Sequence, residues 1–91
     1  MDRPTIIRGA IVDSWLEPAG PSRGEPSVVL QVAPKGRPGD LLIVEASASL
    51  VPDRGWLEDL GENLCHGSPV SAEGRLNVAG QLRATRIELA R

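Results

Sequence analysis

Aromatic side chains are almost missing from this sequence: Trp15 and Trp56 stand among 91 residues with no phenylalanine and no tyrosine. A surface that binds by ring stacking therefore has little to work with. Cysteine is as scarce. Cys65 alone excludes an internal disulfide framework and fits a reducing compartment, so the cytoplasm is the expected location. No apolar run approaches the ~20 residues needed to span a bilayer, and Met1-Asp2-Arg3-Pro4 does not read as a signal peptide. Positive charge is not in surplus either. Ten basic against twelve acidic residues leave a net charge of −2, which argues against duplex DNA held through bulk charge alone. Lysine is nearly absent, since nine of the ten basic residues are arginine.

What the chain does have is 10 glycines and 8 prolines, about a fifth of its length, so the segments between turns must be short. That disfavours a helix bundle and favours a small β-rich fold. At 9.7 kDa there is room for one core and one domain, 1–91. Thr5 to Val12 is dense in β-branched residues and reads as a first strand, with Thr5, Ile7, Gly9 and Ile11 on one face. Residues 17–27 carry three prolines and two glycines and read as a loop. Ser27 to Ala33 and Leu41 to Ala46 are the next strands, joined by the basic hairpin loop 34–40. Asp53 is a fitting N-cap for the single helix signal, in which Leu57, Leu60 and Leu64 form a stripe and Gly67 suits the C-cap. Val70 to Leu76 alternates cleanly. After a turn at 77–80, the last strand, Gln81 to Leu89, breaks parity between Ala84 and Ile87, which predicts a bulge near Thr85-Arg86. Five strands with one short helix between the third and fourth is the order of the oligonucleotide/oligosaccharide-binding (OB) barrel, an all-β fold.

Catalytic and metal chemistry find no support. Cys65 and His66 are adjacent and lack further ligands at zinc spacing, and nothing positions them as a nucleophile and base. Glu58 and Glu62 share an exposed helix face where no burial raises a pKa for acid–base work. The glycines match no phosphate-cradling loop, and the acidic helix is a poor membrane binder. An enzyme, a cofactor and a metal are not expected. The basic residues are more suggestive. Arg8, Lys35, Arg37, Arg75 and Arg83 fall on strands or on the hairpin loop bordering a barrel's binding face. Setting aside residues 53–62, with four acids and one arginine, leaves nine basic against eight acidic residues, enough for a modest electropositive groove. The alternative is solvated charge paired with Glu45, Glu73 and Glu88. Trp15 at the end of the first strand either stacks a base or a cation, caps the core, or lies in a subunit contact. Trp56 is expected against the barrel end.

Leu64, Gly67, Ser68, Val70 and the run Glu73-Gly74-Arg75-Leu76 together resemble the bacterial single-stranded DNA-binding protein family. Thr85-Arg86-Ile87-Glu88 is similar to that family's last strand, and Arg3, Thr5, Ile7, Gly9 and Ile11 look like its opening strand. The resemblance implies a sequence-independent, cytoplasmic, homodimeric or homotetrameric protein that binds single-stranded DNA, with RNA left open. It also implies an accessory role in replication, repair or recombination, with proteins of those processes as partners. The residues expected to meet the strand are Arg3, Arg8, Trp15, Lys35, Arg37, Arg75 and Arg83. The chain departs from the family in two respects. Its second, third and fourth strands hold no aromatic where bases would stack, and it reaches Arg91 with no acidic tail, an arrangement that resembles the family's dimeric primosomal relatives. Those departures sustain a second expectation, an OB-fold interaction or assembly module that has lost nucleic-acid binding.

Overall fold

The structure of the protein, a computed structural model, describes residues 3–18 and 24–90. Strand β1 (Thr5–Glu17) continues five residues past the β-branched run. Ile11 pairs with Val32 and Asp13 with Gln31, so Val12 is an unopposed bulge residue. That bulge puts both Ile11 and Ser14 in the interior, and Trp15 lies inside the strand rather than at its close. The length of β1 is what closes the sheet. Its first half pairs with β4 (Pro69–Leu76) and its second half with β2 (Ser27–Pro34). Strand β2 pairs with β3 (Leu42–Ser47), and β3 runs parallel to β5 (Leu82–Leu89), which returns to β4. The result is a closed barrel in the order β1-β2-β3-β5-β4, with one short helix α1 (Arg54–Gly61) between β3 and β4. This is the OB architecture the element order predicts.

The interior is aliphatic. Ile11, Leu30, Leu60, Leu82, Val28, Val32 and Val44 are its largest fully buried side chains, and Trp56 and Leu57 pack against them from the helix. Asp53 caps α1 as expected, its Oδ1 accepting the Trp56 N–H at 3.2 Å. The helix is shorter than its leucine stripe. Asn63 turns left-handed at φ 59, and its Oδ1 accepts the Ser14 N–H at 3.0 Å. The Ser14 hydroxyl in turn donates to the Leu60 carbonyl at 2.8 Å. These bonds fasten the end of the helix to β1 and leave Leu64 outside it, 66% exposed. Gly67 is not the C-cap. At φ 82 it bends the following loop so that its N–H reaches the Ile11 carbonyl at 2.8 Å.

The predicted bulge on β5 is Thr85: Glu73 pairs with Arg86 and Gly74 with Ala84, leaving Thr85 unopposed. Two glycines let strands touch. A Cβ on Gly9 would lie 2.1 Å from the Ala33 oxygen, and one on Gly74 would lie 2.0 Å from the Arg83 oxygen. In both cases the obstacle is backbone, which cannot rotate away. Gly74→Ala is therefore expected to cost about 1–3 kcal/mol through overpacking, read as a lowered urea midpoint with an unchanged m-value. An unaltered midpoint would mean that the β4–β5 contact is looser than described.

Candidate nucleic-acid interface

The cross-strand register carries one row of residues over all five strands, of which Val29 on β2 is buried. Trp15 on β1 faces Val29 on β2, Val29 faces Glu45 on β3, Glu45 faces Arg83 on β5, and Arg83 faces Arg75 on β4. Beyond Arg75, the row reaches a shallow concavity of ≈ 340 Å³ walled by Arg3, Thr5, Arg75 and Leu76. Four of the seven expected residues thus lie on one belt: Trp15, Arg83, Arg75 and Arg3.

The belt's electrostatics are uneven. Arg83 forms an ion pair with Glu45, both side chains in contact with solvent. Arg75 stands directly opposite Arg83, an arrangement of like charges that destabilises a sheet. Neither Arg3 nor Arg75 has an ion pair among the described residues. At the other end of the belt, the Trp15 indole is 37% exposed and its Nε1 donates to Glu17 Oε1 at 3.2 Å. Asp13, Glu17 and Glu45 share the outer face of β1–β3 with it, so the aromatic end is acidic and the β4–β5 end basic.

Beside the arginines, the turn linking β4 to β5 is held rigidly. The Asn77 Oδ1 accepts the N–H groups of Ala79 at 2.9 Å and Gln81 at 3.0 Å, and Gly80 takes φ 79. This presents Val78 fully to solvent with Leu76, 47% exposed, at its base. The sequence predicts a turn here but not its apolar tip, whose only signal is a valine between Asn77 and Gly80.

The remaining expected residues lie elsewhere. Lys35 is six positions along the chain from Val29, about 20 Å at ~3.3 Å per residue. Its N–H donates to the Arg8 carbonyl at 2.8 Å, so those two residues are neighbours. Arg37 sits exposed in the turn after β2, its N–H on the Pro34 carbonyl at 3.1 Å. The single basic groove over Arg8, Lys35, Arg37, Arg75 and Arg83 is thus divided in two. Trp56 packs at the barrel end with Val51 and Leu89. Cys65 is buried, His66 is exposed, and no group of three or more metal-ligating side chains occurs among the described residues.

Fold and register together define a small OB barrel whose outer belt carries one ring and three arginines. No protein-family model matches the chain, and no curated protein matches it. Among the described residues no helix is long and apolar enough to cross a membrane.

Because the Arg83–Glu45 pair is solvent-exposed, Glu45→Gln is expected to change stability by less than about 1 kcal/mol. Urea denaturation of the two proteins measures it, and a loss of twice that size would assign the pair a structural role.

Proposed function

We propose that the barrel binds single-stranded nucleic acid, without sequence preference, along the belt from Trp15 to Arg3. The observation that carries this reading is the Arg75–Arg83 juxtaposition. Arg75 stands opposite Arg83, which has Glu45 as its counter-ion. Neither Arg75 nor the neighbouring Arg3 has an ion pair among the described residues, so this end of the belt suits a ligand that brings negative charge. Phosphates would lie over Arg83, Arg75 and Arg3, with the Leu76–Val78 turn against the sugar edge and one base on the Trp15 ring. In the OB plan the face of the second and third strands and the turn between the last two receive oligonucleotides, and Arg75 and Arg83 stand beside that turn. Arg8, Lys35 and Arg37 stand outside this path.

One ring and three cations make a weak site. Stacking on Trp15 contributes about 1–3 kcal/mol. Three phosphate contacts give a log–log salt slope near −2 for a single strand, or about a 20-fold loss between 50 and 200 mM salt. An accessory role in replication, repair or recombination would be compatible with such affinity, and a homodimer or homotetramer would multiply it.

A second reading, an assembly module bound to itself or to another protein, is favoured by a different observation. The outer face of β1–β3 bears Asp13, Glu17 and Glu45, and the Trp15 indole is tied to one of these acids rather than left free. Fluorescence anisotropy of a labelled thirty-base oligo-dT separates the two. Micromolar binding with the expected salt slope supports the first reading, and Arg75→Glu is expected to weaken it about tenfold or more. Trp15→Ala should cost between about 5-fold and 150-fold. Absence of binding at 50 mM salt would overturn strand binding and leave the assembly reading, to be pursued through oligomeric mass by light scattering.

A further inference from the structure

Where β1 passes from β4 to β2, the outer wall carries a second concavity, separate from the belt. It measures ≈ 560 Å³ and is walled by Ala10, Ala33, Pro34, Pro38, Pro69 and Leu89. Three of those six are prolines, which present ring carbons and no N–H. Gly9 also lines it, at the point where the lack of a Cβ lets β1 rest on the Ala33 carbonyl.

Two cations stand at this apolar groove. Arg8 and Lys35 both line it, and the Lys35 N–H to Arg8 carbonyl bond fixes their backbones side by side. Neither has an ion pair among the described residues. The carboxylate that also lines the groove, Glu88, is engaged by Arg86 at 3.3 Å. An apolar wall beside two unpaired cations is complementary to an anion with a hydrocarbon body.

Size and backbone chemistry select among such anions. The volume lies within the ~300–1,000 Å³ of small-molecule sites. A folded partner needs ~800 Å² of surface per side, and here the apolar surface ends at a charged cluster in which Arg8, which borders both concavities, stands with Glu73, Arg86 and Glu88. A peptide strand has nothing to pair with on β1, whose Gly9 and Ala10 already pair with both β2 and β4 at the groove. Prolines on the wall would leave a peptide's own N–H and C=O groups unmatched, whereas an alkyl or aryl body has none to satisfy.

We propose that this groove binds a small amphipathic carboxylate, its acid group on Arg8 and Lys35 and its hydrocarbon along Pro34, Pro38 and Pro69. The test is titration of the ¹⁵N-labelled protein with decanoate below its micellar concentration, with decanol and acetate as controls. Saturable amide shifts are expected at Gly9, Ala10, Ala33, Lys35 and Ala90. Decanol and acetate should each bind at least about fivefold more weakly, and Arg8→Ala with Lys35→Ala should weaken decanoate about tenfold without altering the remaining spectrum. Equal binding of decanol, shifts centred elsewhere, no shifts at millimolar decanoate, or an unaffected double variant would each overturn the proposal. A short acidic peptide that binds there more tightly than decanoate would reassign the groove to peptide. Concentration-dependent shifts of the same amides without ligand would reassign it to a second copy of the chain.

Discussion

Closing a sheet of only five strands demands sharp coiling, and β1 supplies it by belonging to both sides of the closure. Strands approach backbone to backbone at two places, Gly9 of β1 against Ala33 of β2 and Gly74 of β4 against Arg83 of β5. Side chains there would hold the strands apart. Bulges at Val12 and Thr85 add the remaining twist by slipping one residue out of register on β1 and β5. With register set in this way, residues far apart in the chain meet on one row, Trp15, the buried Val29, Glu45, Arg83 and Arg75.

The interior explains how a chain with two aromatic residues still fills a barrel. Narrow closure leaves a lumen that valine, leucine and isoleucine pack without large rings. One end is sealed by α1, held by the buried Leu60 with Trp56 and Leu57 against the core and by the bonds of Ser14 to the Leu60 carbonyl and the Asn63 amide. Those bonds tie the end of the helix to the same half of β1 that carries Trp15.

Much of this was legible beforehand, and the failures have physical causes. Alternation, turn residues and the Asp53 cap located the five strands and the helix, though not the 3-10 turn at Ala48–Leu50, and the parity break located the Thr85 bulge. The second half of β1 was missed because the bulge at Val12 brings Asp13 and Ser14 into positions that look like a strand's end. The leucine at 64 matched helical spacing, but a long-range bond from Asn63 to Ser14 stops the helix first. The site was less legible than the fold. Cross-strand partners decide which arginines share a surface, and nothing local in the sequence separates Arg8 and Lys35 from Arg75 and Arg83. The division also assigns them different surroundings, apolar proline rings for the first pair and opposed like charges for the second.

The sparse aromatics carry an optical consequence. With no tyrosine and no phenylalanine, near-ultraviolet absorption and emission come from two indoles alone, and these occupy opposite physical situations. Trp15 lies on the outer wall hydrogen-bonded to Glu17, while the half-buried Trp56 borders a concavity at the helix end with Val51 and Leu89. Emission from the first responds to whatever touches the belt, and emission from the second to the integrity of the barrel's plug. Replacing either indole leaves a single-emitter protein, so surface occupancy and global unfolding become separable signals without any attached dye.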